Sequence, residues 1–106
     1  MNEREKCLRE ACEIVNGARN QNYGDVEDNF DRIASLWSTY LDTAVTPIDV
    51  AMMMVLLKTA RVSTGRVSHY DDYVDVAGYA ACAYEITKKW DGESDDSNRE
   101  NLVGAN

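Results

Sequence analysis

Apolar residues return along this chain at helical intervals in four separate stretches. In the first, Cys7, Leu8, Ala11, Cys12 and Val15 recur at i, i+1, i+4, i+5 and i+8, and Ala18 falls on the same face. That spacing predicts a helix over residues 3–19. It closes in "NGARNQNYG", where Gly17, Gly24 and several asparagines favour a helix end and a loop. In the second stretch, Val26, Phe30, Ile33, Ala34, Trp37 and Leu41 form one stripe, with Glu27, Asp28, Asp31 and Arg32 on the other faces. Asp25 is placed to cap this helix, and Asp28 sits at N3, where a carboxylate favours the positive helix end.

The third start is the plainest. In "VTPID", Thr46 is the N-cap, Pro47 occupies N1 and Asp49 occupies N3. The following "IDVAMMMVLLKTARV" is apolar all round in its middle, which predicts the central helix of the fold. Its methionines read as filler for irregular gaps in a core rather than as a cofactor box. After the loop "STGRVSHY", a fourth helix is expected from Asp71 to Trp90. Ala77, Gly78, Ala80, Ala81 and Ala83 make part of its surface small. Gly78 costs about 1 kcal/mol against alanine inside a helix. A tight helix crossing or a subunit contact would explain its use.

The tail "DGESDDSNRENLVGAN" has little to bury and is expected to be mobile. The chain therefore divides into a helical domain, residues 1–90, and an acidic tail, residues 91–106. The fold class is all-α: a four-helix bundle-like single domain. With 106 residues, 44% of them hydrophobic, its core is small, and homo-oligomerisation is expected to complete it.

Composition narrows the partners. A formal net charge of −8 argues against a nucleic-acid polymer, which needs a basic face. It leaves room for a small anionic ligand held by a few local cations. The longest apolar run, "VAMMMVLL", is too short to span a membrane, and the charged "MNEREKCLRE" is unlike a signal peptide. A cytoplasmic protein without membrane partners is expected. The three cysteines, Cys7, Cys12 and Cys82, show no metal spacing and read as reduced, small core residues.

Candidate chemistry gathers around the fourth helix start. Asp71 and Asp75 are four apart, and Asp72 and Asp75 three apart, so these acids share a side of the helix. Asp71 and Asp72 suit a helix N-terminus, whereas Asp75 lies a turn deeper and is left over. Lys58 and Arg61 end the third helix, where cations are favoured. If the third and fourth helices are antiparallel neighbours, these cations meet Asp71 and Asp75, either as interhelical ion pairs or as a shared phosphate and metal site. His69, the single histidine, precedes Asp71 in the loop. Tyr23, Trp37, Tyr70 and Tyr73 offer faces on which a base could stack, though each also suits packing.

The blocks "YGDVEDNFDRIASLW", "TPIDVAMMMVLLKTAR" and "HYDDYVDVAGYA" resemble a family of small phage and prophage proteins. The family pattern, Y-G-D…N-F…W, K-x-x-R and H-x-D-x-x-x-D-x-A-G-Y, falls first on Tyr23, Gly24, Asp25, Asn29, Phe30 and Trp37. It continues on Lys58 and Arg61, and then on His69, Asp71, Asp75, Gly78 and Tyr79, covering roughly residues 5–88. More remotely, the layout resembles the MazG-like all-α nucleoside triphosphate pyrophosphohydrolases. These are helical oligomers that hold Mg²⁺ through E-x-x-E on one helix and E-x-x-D on the next. Asp72-x-x-Asp75 stands for the second motif. The first is absent as such, with Glu27, Asp28 and Asp31 nearest to it.

Two functions follow as expectations. The resemblance to phage proteins implies a cytoplasmic oligomer in an infected or lysogenic bacterial host. It would bind a small phosphorylated nucleotide and sequester a host signal such as a cyclic nucleotide or a cyclic ADP-ribose-like molecule. Lys58, Arg61 and Arg66 would meet phosphates, Tyr23, Trp37 and Tyr73 would flank the base, and His69, Asp71 and Asp75 would complete the site, with no cofactor required. The MazG-like resemblance implies instead an Mg²⁺-dependent pyrophosphohydrolase, with Glu27, Asp31, Asp72 and Asp75 on the metal. A third reading is a structural or partner-binding bundle in which every charge is a cap, an ion pair or a solvated face.

Overall fold

A computed structural model of the protein describes residues 1–17, 25–64 and 70–93. These form four helices and no strand: α1 Glu3–Asn16, α2 Val26–Leu41, α3 Pro47–Val62 and α4 Tyr70–Glu93. The all-α expectation holds among the described residues. The tail call falls largely on residues 94–106, which lie outside them, and α4 itself continues past Trp90 to Glu93.

Local chemistry accounts for the helix starts. The Asn2 side chain accepts from the Glu5 N–H and caps α1. At α3, Thr46 Oγ1 accepts from the Asp49 N–H at 3.1 Å, and the Asp49 carboxylate accepts from the Thr46 N–H at 3.0 Å. This reciprocal capping box satisfies two donors that the helix cannot, with Pro47 preset for the first turn. Asp25 occupies the N-cap position of α2 but makes no side-chain capping bond; its carboxylate lies 3.6 Å from Lys89 Nζ instead. The α2–α3 turn is held at Ser38. Its Oγ accepts from the Val45 N–H at 2.9 Å, while Asp42 takes the left-handed conformation that ends α2.

The core joins three helices. Phe30 and Ala34 of α2, Val50 and Ala51 of α3, and Cys82, Ala83 and Ile86 of α4 form one buried cluster. Val15, Ile33, Trp37, Tyr79 and Trp90 pack around it. Val50 and Ala51 share one buried cluster with Cys82, Ala83 and Ile86, while Lys58 and Arg61 meet Asp72, so α3 and α4 run antiparallel. Phe30 and Tyr79 stack with ring centroids 6.3 Å apart and a tilt of 31°. Helix α1 lies along α4 in the same direction, and Gly78 is the crossing point. A Cβ there would sit 3.3 Å from Val15 Cγ1, so the tight-crossing explanation of Gly78 is the one realised.

Four packing expectations are corrected. The central helix is α4, which touches each of the other three, not α3. Helix α3 buries one face and leaves Met52, Met53, Leu56 and Leu57 exposed, so Met52 and Met53 do not fill gaps in the core as expected. Of the cysteines, Cys82 is buried, but Cys7 is half-buried and Cys12 exposed. The cause is that α1 is covered mainly on its α4 side, which also leaves Leu8 in solvent. Leu41, the last residue of the expected α2 stripe, is exposed as well.

Candidate functional site

The loop end of the α3–α4 pair carries a four-residue charge cluster. Lys58 and Arg61 are one turn apart near the end of α3, and Asp72 and Asp75 are one turn apart at the start of α4. Both pairs are spaced to share a helix face, and antiparallel packing turns those faces towards each other. Lys58 Nζ lies 2.8 Å from Asp75 Oδ2 and 3.8 Å from Asp72 Oδ1. Arg61 donates from Nε to Asp72 Oδ1 at 2.9 Å. Interhelical ion pairing is thus present, with one substitution in the expected set. The acid that meets the cations beside Asp75 is Asp72, while Asp71 is exposed at the helix start.

Burial within the cluster is graded. Asp72 is 3% exposed, a charge almost wholly out of water. Such a carboxylate is stable only when paired and hydrogen-bonded. The Lys58 side chain is 17% exposed, while that of Arg61 is 59% exposed and that of Asp75 is 31% exposed. The buried half, Asp72 and Lys58, therefore fixes the geometry. The outer half, Arg61 and Asp75, stands at the surface with its donors and acceptors held in place from below. Two cations and two carboxylates cancel formally. The cluster is not an anion trap by net charge, but a surface offering a donor and an acceptor side by side.

A second polar tie lies at the other end of α4. Lys89 Nζ is 2.7 Å from Glu27 Oε2, and Trp90 Nε1 donates to Glu27 Oε1 at 3.0 Å. The hydrogen bond from Lys89, followed by that from Trp90, holds the Glu27 carboxyl below its usual range. The same contact raises Lys89. Nothing local predicts this tie, because 63 residues separate its partners.

The other expected site residues are dispersed. Trp37 packs against the core cluster. Tyr73 is exposed and lines a shallow open groove of about 840 Å³ between α1 and the start of α4, with Cys7, Leu8, Tyr70 and Val74. Two residues along a helix is more than half a turn, so Tyr73 points away from Asp75. Asp31 is exposed on α2, and Glu27 belongs to the Lys89 tie. Among the described residues, no three acidic, histidine or cysteine side chains gather as a metal-binding group. Tyr23, Arg66 and His69 lie outside the described residues.

Residues 6–87 match a family profile described as a domain of unknown function, DUF6378. The chain belongs to this family. It is similar to the Gene 55 protein of Mycobacterium phage D29, with 46% identity over 82 residues, 77% of this chain and 54% of that protein. It is also similar to the Gene 55 protein of Mycobacterium phage L5, with 51% identity over 74 residues, 69% of this chain and 47% of that protein. The chain therefore spans about half the length of these relatives. No solved structure matches it. The phage relatives agree with the resemblance in the sequence blocks. The DUF6378 match contains all of Lys58, Arg61, Asp72 and Asp75, whereas Lys89 and Trp90 fall beyond its end. Among the described residues, no helix is long and apolar enough to cross a membrane.

Proposed function

We propose that the Lys58–Arg61–Asp75 corner binds a small phosphorylated nucleotide. The observation that carries this reading is the graded cluster: a buried Asp72 beneath a half-exposed arginine, next to a partly exposed carboxylate. Bare phosphate suits such a corner poorly, because Asp75 repels it. A nucleotide has both kinds of group. Its phosphate pairs with the Arg61 guanidinium, and a ribose hydroxyl or base amine donates to Asp75. Asp72 acts as a positioning residue that holds Arg61 through Nε. The use proposed for this binding, in a chain similar to phage proteins, is sequestration of a host nucleotide signal such as a cyclic dinucleotide or a cyclic ADP-ribose-like molecule.

Calorimetry of the full chain against mononucleotides, cyclic dinucleotides and cyclic ADP-ribose-type ligands, with and without Mg²⁺, tests the reading. Binding is expected for at least one ligand, weakened in Arg61→Ala and in Asp75→Asn while helix content is kept. Affinity no better than about millimolar for every ligand overturns it. A parallel assay for released pyrophosphate separates binding from MazG-like hydrolysis. Mg²⁺-dependent release that disappears in Asp75→Asn would favour the enzyme over the binding protein.

A further inference from the structure

The outer face of α3 exposes four large apolar side chains, more than any other helix among the described residues. Asp49, Met52, Met53, Leu56, Leu57 and Ala60 recur at the spacing of a single helix side, and all are exposed. After Asp49 that face bears no charge. The other helices expose charges among their apolar positions: Arg4, Lys6 and Glu10 on α1, Asp28, Asp31 and Arg32 on α2, and Asp71, Glu85 and Lys88 on α4, while the exposed Leu36 and Tyr40 of α2 and Tyr73 and Tyr84 of α4 stand beside serine, threonine or alanine. In a chain that is 28% charged, an uncharged, largely apolar strip about two and a half turns long is not an ordinary solvated face.

We propose that two copies of this chain associate through this face, α3 against α3 and antiparallel. The four large side chains are between 38% and 66% exposed. Together they leave on the order of 400 Å² of apolar surface in one strip, the size at which a contiguous patch often marks a binding surface. Doubled across two copies, that is roughly 800 Å², most of the apolar part of a standard interface of about 1,600 Å².

Charge fixes both the occupant and its direction. With a net charge of −8, copies repel one another over most of their surface, and this strip is where they can approach without opposing charges. A parallel pairing would set Asp49 against its own copy at the positive ends of both helices. The antiparallel pairing separates the two acids and opposes the helix dipoles. It places Leu56 at the two-fold axis, facing itself, and Met52 opposite Ala60 of the second copy. The association is independent of the nucleotide reading, because Lys58 lies on the opposite side of α3, against α4.

Sedimentation of the full chain over a concentration series tests the proposal. The wild type is expected to form a dimer at micromolar concentration. Leu56→Glu places a carboxylate at the axis from both copies and should weaken association about thirtyfold or more, the size of a hot-spot loss, with helix content retained. Leu57→Lys serves as a second disruption. Leu8→Glu, on the α1 groove, should leave the dimer intact. A wild type that stays monomeric, or an assembly that survives both α3 changes, overturns the proposal. Direction is read by oxidation in a Cys7→Ser, Cys12→Ser background. Leu56→Cys should cross-link to its copy. Met52→Cys should not, because antiparallel copies hold that position about 12 Å apart, beyond disulfide reach. Cross-linking at both positions overturns the antiparallel arrangement.

Discussion

The charge cluster implies that its lysine and its buried aspartate are unequal. Lys58→Met keeps the bulk of the side chain and removes the cation that lies 2.8 Å from Asp75 and 3.8 Å from Asp72. It leaves Asp72 charged, 3% exposed and one turn from a second carboxylate. Breaking a buried pair from one side costs about 3–5 kcal/mol; with Arg61 still on Asp72 and Asp75 partly solvated, the low end, about 3 kcal/mol, applies. Asp72→Asn is different. It removes the charge that needed compensation and keeps an amide oxygen for Arg61 Nε, while Lys58 keeps Asp75. The loss is the charged part of one hydrogen bond and a weaker contact, about 1–2 kcal/mol. In a domain of this size each kcal/mol moves Tm by about 4–8 °C, so Lys58→Met should lower it by roughly 12 °C or more, and Asp72→Asn by about half as much. Urea unfolding followed by circular dichroism measures both, at one protein concentration because self-association shifts apparent stability. The double variant should cost less than the sum of the two. If Asp72→Asn costs as much as Lys58→Met, or the two effects add, Asp72 is not the buried charge that Lys58 neutralises.

Gly78→Leu cannot fit where a Cβ already meets Val15 Cγ1 at 3.3 Å, and should destabilise by about 1–3 kcal/mol. Hydrogen exchange should show the loss concentrated in α1, and equal loss in α2 would contradict the crossing described above. Thr46→Ala removes the acceptor for the Asp49 N–H and should cost about 1 kcal/mol in thermal unfolding, with Thr46→Ser recovering most of it. The Glu27 carboxyl titrates below the ordinary 4.5 because Lys89 and Trp90 hydrogen-bond its charged form. Its contribution is complete above that ordinary value and is lost as pH falls through the lowered one. NMR titration should find the depression in the wild type, and Lys89→Met should move the Glu27 pKa upwards.

Much of the fold is written locally. Thr46, Pro47 and Asp49 define the start of α3 through bonds that span three residues, so that boundary needs no tertiary information. The stripe from Val26 to Trp37 identifies the buried side of α2 because its other faces are polar. Gly78 among its alanines marks a close approach, and Lys58 and Arg61 with the aspartates mark the charge cluster. What these patterns lack is the identity of the neighbour. Asp71 and Asp72 are equivalent as helix-start acids. Only the angle at which α4 lies on α3 buries Asp72 against Lys58 and Arg61 and leaves Asp71 in water. The Glu27–Trp90 bond joins residues 63 apart in the chain and has no local trace.

Helix α3 shows the division most sharply. Its composition alone says that both sides avoid water, but an all-round apolar helix has no stripe from which to read what covers each side. Packing assigns its inner side to α2 and α4 and leaves Met52, Met53, Leu56 and Leu57 open. Helices, caps and apolar faces follow from neighbours a few residues away and are determined by the sequence itself. Which helix is central, which carboxylate is buried and which face stays uncovered depend on contacts between distant segments, and only the tertiary structure decides them.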